Sequence, residues 1–149
     1  MFKKNAVHLN RVFACQPEKI YRAFLTPNAL NRWLAPNGYY GTIHAMDART
    51  GGTFKMSFTN FTTQKSHGFG GKYLELIPDK LIRYTDVFDD PNLPGELHVT
   101  IKLTPVPVGT DVVIDQENIP EVIPLDACYL GWQQSLNNLA RLVEPNIKE

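Results

Sequence analysis

Leu125-Asp126-Ala127-Cys128-Tyr129-Leu130-Gly131-Trp132-Gln133-Gln134-Ser135-Leu136-Asn137-Asn138-Leu139-Ala140-Arg141-Leu142-Val143 is the stretch on which the fold turns. Leu125, Tyr129, Trp132, Leu136, Leu139 and Val143 recur at steps of three and four residues, while Gln133, Gln134, Asn137, Asn138 and Arg141 fill the other side. That spacing predicts one apolar stripe on a long helix of about five turns. Pro124 stands near its start and Pro145 ends it, because proline has no N–H to continue the helical ladder. A helix with a single apolar stripe must bury that stripe against another element.

The preceding residues supply the partner. Phe54, Met56 and Phe58 alternate with Lys55, Ser57 and Thr59, a period of two that marks a half-buried strand. Further strands are predicted over 41–48, 68–77, 81–88, 97–103 and 110–117, and an opening one over 7–13. Their separators are turn-formers: Thr50-Gly51-Gly52, Thr62 to Ser66, Pro78-Asp79, Asp89 to Gly95, and Pro105 to Gly109. Connections this short predict an antiparallel meander. After the first strand, Pro17 and Glu18 suit the opening turn of a helix carrying Ile20 and Phe24, which Thr26-Pro27 stops. A second short helix is predicted over 28–34, with Leu30, Trp33 and Leu34 on one side. The expected order is β-α-α-β-β-β-β-β-β-α, an α+β fold with a curved antiparallel sheet of about seven strands packed on one long terminal helix.

The whole-chain numbers bound the function. A length of 149 residues suits one domain over 1–149, and 43% apolar with 20% charged residues describes an ordinary folded chain. Fifteen Lys+Arg balance fifteen Asp+Glu. That balance argues against nucleic acid or anionic lipid as the partner, since such affinity comes from neutralising many phosphates. Cys15 and Cys128 form no C-x-x-C pair and read as free thiols of a cytoplasmic protein. Met1-Phe2-Lys3-Lys4-Asn5 leads into an alternating segment and not into an apolar run, so neither a signal peptide nor a membrane span is expected.

The chemistry-bearing residues gather on one set of faces. Phe54, Met56 and Phe58 share a strand face, as do Phe69 and Tyr73 on the next and Tyr84, Asp86 and Phe88 on the third. With Trp33, Tyr129 and Trp132 from the helices, these eleven residues are the candidate ligand-binding set. They either fill the core or wall a small-molecule pocket. Asp86 is the informative polar member. On an apolar face its carboxylate is costly unless paired or protonated, and there it could orient a ligand hydroxyl or amine or act as a general base. At the strand end beside Asp89 and Asp90 it would instead be solvated.

His8, His44, His67 and His98 show no metal-ligand spacing, so no metal is expected. No G-x-S-x-G elbow surrounds Ser57, Ser66 or Ser135. Gly68-Phe69-Gly70-Gly71 lacks the strand-to-helix context of a phosphate loop and reads as a bend in a curved sheet. No catalytic set and no cofactor are expected.

A series of short motifs runs in order along the chain: Arg11-Val12-Phe13-Ala14, Pro17 to Phe24, Trp33 with Pro36, Gly51-Gly52-Thr53-Phe54, Gly71 to Pro78, Leu81 to Thr85, Gly109-Thr110 and Gly131-Trp132. The series resembles the SRPBCC (START-like, helix-grip) superfamily, nearest to the branch named after the activator of the heat-shock protein 90 ATPase. The sequence departs from that branch at Asp86, where an aromatic residue is frequent, and at Asp115-Gln116-Glu117-Asn118, where a histidine often follows the last strand. The resemblance implies a sheet gripping the terminal helix, with a cavity that in many members holds lipids, hormones, polyketides or other aromatic metabolites. The expected function is binding of an apolar or aromatic small molecule. The alternatives are a co-chaperone-like domain that contacts a chaperone ATPase, and a cyclase-like enzyme using Asp86 with Tyr84 and Gln116. An exposed strand edge leaves a homodimer open.

Overall fold

Alternation in the sequence becomes seven strands and the 3.6-residue periodicity becomes three helices. A computed structural model describes residues 5–149; residues 1–4, from which the absence of a leader was read, lie outside it. The elements are β1 (Val7–Phe13), α1 (Pro17–Leu25), α2 (Pro27–Trp33), β2 (Tyr39–Met46), β3 (Thr53–Asn60), β4 (Ser66–Ile77), β5 (Leu81–Phe88), β6 (Leu97–Val106), β7 (Gly109–Glu117) and α3 (Leu125–Val143). The strands form one sheet in the order β1-β7-β6-β5-β4-β3-β2, every pairing antiparallel. Consecutive strands from β2 to β7 are neighbours, as the short turns require. β1 pairs with the last strand instead, so the α1–α2 segment carries the chain from one sheet edge to the other. Among the described residues, no helix is long and apolar enough to cross a membrane.

β2 runs over Tyr39–Met46 where 41–48 was expected and α2 over Pro27–Trp33 where 28–34 was expected, and two further boundaries differ for local reasons. The turn after β3 is tighter than expected, because the Asn60 side-chain oxygen accepts the backbone N–H groups of Thr62 (2.9 Å) and Thr63 (3.2 Å). The β3–β4 ladder consequently extends to the Thr59–Ser66 pair. β6 continues through Pro105 to Val106. The β5 ladder ends at Lys102, so Pro105 has only β7 beside it, an edge-like position where a missing N–H is tolerated.

The sheet buries Ile82, Val99, Ile101, Val112 and Ile114 against Leu136, Leu139 and Val143 of α3. Each such side chain contributes roughly 1.5–3 kcal/mol on removal from water. The charge pattern suits the axis of α3, with Asp126 in its first turn and Arg141 in its last. Its C-terminal end is tied to the start of the chain. Glu144 accepts the backbone N–H of Ala14 at 2.9 Å, and Lys19 donates to the Pro145 carbonyl at 2.7 Å.

The glycine-rich run of β4 is where β4 and β5 come closest to touching. A Cβ on Gly71 would fall 1.8 Å from the Thr85 carbonyl oxygen, so β4 and β5 approach too closely there for any side chain. The β4–β5 register shifts just beyond, between Tyr73 and Glu75. These residues are extended strand, not the loop-to-helix turn of a nucleotide site.

Candidate functional site

The inner face of the bent sheet, α3 and the two short helices do not meet everywhere. Between them lies a cavity of about 250 Å³. Its sheet wall is built by alternation: Phe54, Met56 and Phe58 from β3, Phe69 and Tyr73 from β4, and Ile82, Tyr84, Asp86 and Phe88 from β5. Cys128, Gly131, Trp132 and Ser135 of α3 form the opposite wall, and Phe24, Leu30, Leu34 and Pro36 close one side. His67, also on the lining, is solvent-exposed and so stands at the rim.

The rings hold each other in edge-on and tilted contacts. Phe54 lies 5.4 Å from Tyr73 and 5.6 Å from Tyr84, and Phe58 lies 4.8 Å from Phe69, centroid to centroid. Such pairs favour fixed T-shaped geometry, which keeps flat groups from collapsing into the space between them. Gly131 adds to the opening. A Cβ built there meets nothing within 4 Å. Glycine inside a helix costs about 1 kcal/mol relative to alanine, a cost that packing does not explain here. Gly131→Ala is therefore expected to raise stability by up to about 1 kcal/mol, read as a higher urea midpoint. An unchanged or lower midpoint would mean that the space is not there.

Three polar side chains on the wall differ in how they are satisfied. Ser135 Oγ is 2.6 Å from the Leu34 carbonyl oxygen and 2.9 Å from that of Gly131, so its proton is used within the protein. Gln116 accepts the indole N–H of Trp132 at 3.0 Å. Indole is only a donor, which fixes the amide oxygen on that side and leaves the amide NH₂ as the remaining polar group of Gln116. Asp86 Oδ1 is enclosed and has no hydrogen-bond partner.

Asp86 sits opposite Leu97 on β6, with the narrowed β4 segment at Gly71 on its other side. Burial pushes its carboxyl up to about 7, against smaller downward pulls from the Val87 backbone N–H and the charge of Lys55. Lys55 is itself paired with Asp89. Burial also raises the Tyr84 hydroxyl well above the ordinary tyrosine range, with the Asp86 charge adding to it, and raises Tyr73 through burial alone. Both Tyr84 and Asp86 keep some accessible surface although they lie deep in the protein. Both line the cavity.

Nine of the eleven residues picked out from sequence line this space: Phe54, Met56, Phe58, Phe69, Tyr73, Tyr84, Asp86, Phe88 and Trp132. Two do not. Trp33 is fully buried in the contact between the short helices, its ring edge-on to Phe24 at 4.7 Å and its N–H donated to the Ala23 carbonyl at 2.9 Å. The Tyr129 hydroxyl accepts the backbone N–H of His8 at 3.1 Å, so the side chain ties α3 to β1 instead. Phe24, Leu30, Leu34 and Pro36 were not picked out. Their apolar spacing signalled burial, but nothing local told which buried side chains would end at a void. Gln116 was noted only as an accessory to Asp86. No cluster of three or more potential metal ligands occurs among the described residues, and Cys15 and Cys128 are free thiols.

The protein family described as activator of Hsp90 ATPase homolog 1-like protein matches residues 14–144. A crystal structure of a protein from Chromobacterium violaceum is 52% identical, with 97% of this chain and 100% of that one covered and a TM-score of 0.95. A protein from Rhodobacter sphaeroides aligns at 22% identity over 94% of this chain and 92% of its own, with a TM-score of 0.84. One from Staphylococcus epidermidis aligns at 20% identity over 100% and 95%, with a TM-score of 0.82. The last two likenesses concern the fold alone. No curated protein matches the sequence. A family match spanning both short helices, strands β2 to β7 and α3, together with a half-identical relative of the same shape, places this chain in the activator of Hsp90 ATPase homolog 1-like family, with the helix-grip fold of the SRPBCC superfamily.

Proposed function

We propose that this chain, acting as a single helix-grip domain, holds a compact apolar or aromatic small molecule between its sheet and its terminal helix. The observation that carries this reading is the aromatic-walled space of about 250 Å³ with Gly131 open towards it. Concave, mostly apolar sites with a few polar groups are the usual form of small-molecule pockets. This volume lies at or just below the small end of their range, which favours one- or two-ring ligands over lipids with long chains. The two free thiols fit a reducing, cytoplasmic setting.

Calorimetric titration with naphthalene, indene and indole tests the reading. At least one is expected to bind with Kd below about 1 mM, corresponding to roughly −4 kcal/mol. Gly131→Phe, which drives a ring into the space from α3, is expected to abolish that binding while leaving a cooperative unfolding transition. Failure of all three probes to bind, or undiminished binding by a folded Gly131→Phe variant, would remove the cavity as the site.

A further inference from the structure

We infer that the ligand carries one hydrogen-bond donor, an N–H or O–H on a compact aromatic frame, and that the Asp86 carboxyl receives it. The inference rests on the binding reading above and adds to it the polar signature of the guest. Asp86 is the wall residue that packing cannot account for. Its neighbours along and across the sheet are Tyr84, Phe88 and Leu97, and an aliphatic side chain would fill the same place at no electrostatic cost. Buried carboxyl groups are ordinarily satisfied by donors. Here Oδ1 accepts from none of the donors on the wall, the Tyr73 and Tyr84 hydroxyls and the Gln116 amide included. The Ser135 hydroxyl is committed to backbone carbonyls, and the Trp132 N–H to Gln116. A guest in the cavity that Asp86 lines can supply the missing donor. An acceptor-only guest, such as an ether or a ketone, would leave the Oδ1 of the ionised carboxylate as it is. A carboxylate guest would set two like charges in one apolar space.

The titratable groups around Asp86 are Tyr84 on its own strand, Lys55 on β3, Tyr73 and His67 on β4, and Cys128 on α3. β6 and β7 present Leu97 and Gln116, and the short helices Phe24, Leu30 and Leu34, none of which ionises. Burial moves Tyr73, Tyr84 and Cys128 upward, away from neutrality. Lys55 is held by Asp89. That leaves Asp86, with its carboxyl near 7, and the rim residue His67 to be told apart by substitution. His67→Gln is the control, since His67 is the other ionisable side chain at the rim of the cavity.

Indole, benzofuran and indene have nearly the same shape and differ at one ring atom: a donor N–H, an acceptor oxygen and a methylene. Calorimetric titration of the full chain with all three is the test. Indole is expected to bind about tenfold more tightly than indene or benzofuran at about pH 8, the size of effect a hydrogen bond to a charged group gives. The preference should shrink towards about pH 5 as the carboxyl takes up a proton, and His67→Gln should keep this profile. Asp86→Leu is expected to erase the preference while still binding indene, and Asp86→Asn to retain part of it. Equal affinity for the three probes in the wild-type chain would overturn the donor requirement and leave the binding reading intact, whereas no binding by any of them or by naphthalene would remove both. Should Asp86→Leu fail to fold, the wild-type ratios and Asp86→Asn still decide.

Discussion

Asp86→Asn is expected to make the protein more stable by about 4 kcal/mol at about pH 8, and to leave its stability nearly unchanged near pH 4. The sign follows from the direction of the shift. The unfolded chain releases the Asp86 proton at the ordinary aspartate value of 3.8, and the native chain holds it to about 7. Below the lower value both states are protonated and the group adds no pH dependence. Between the two the native state binds the proton more tightly, so native stability falls as pH rises. Above about 7 both states are ionised, and the full cost of the buried charge remains. Asparagine has nearly the same shape and buried polarity but cannot ionise, so it removes the charge term alone. Urea midpoints of both chains between about pH 4 and about pH 8 should diverge as the pH increases. Parallel curves would mean that the Asp86 carboxylate is solvated, and the donor inference would fall with it.

Trp132→Ala is expected to destabilise the chain by about 3–5 kcal/mol, the range for losing a large aromatic from a packed site. The indole is 8% exposed, packs in the core between α3 and the sheet, and donates to Gln116. Its removal would enlarge the cavity and strand the Gln116 oxygen. Trp132→Phe should keep most of the packing and lose only the hydrogen bond, about 1 kcal/mol. Denaturant unfolding followed by circular dichroism separates the two variants. A loss well under about 1 kcal/mol for Trp132→Ala would show that the ring already faces empty space on most of its surface. Trp33, fully buried away from the cavity, supplies an internal reference, because a guest that quenches tryptophan emission directly must do so through Trp132.

The stability and binding predictions converge on one trade. A carboxyl that weakens the native state at neutral pH, and a helix glycine that packing does not require, are both placed on the same cavity. Sites that give up stability in this way are where function is commonly found.

The order and type of the elements were determined by the sequence itself. A period of two, interrupted by Gly, Pro and Asp turns, and a period of 3.6 from Leu125 to Val143 are local signals, because side-chain direction follows directly from backbone repeat. The same alternation correctly put Phe54, Met56, Phe58, Tyr84 and Asp86 on inward faces. Which inward groups touch one another and which border a void was decided only in three dimensions. A void is what remains when strands, a long helix and two short helices pack at fixed spacing, and periodicity carries no distances between elements. So Trp33 lies in the contact of the short helices, Tyr129 reaches β1, and the α1–α2 segment closes a wall that no strand pattern described. The burial of Asp86 belongs to the same class. Solvation at a strand end and enclosure on the inner face of the sheet give the same local sequence, and only the packing around β5 selects between them.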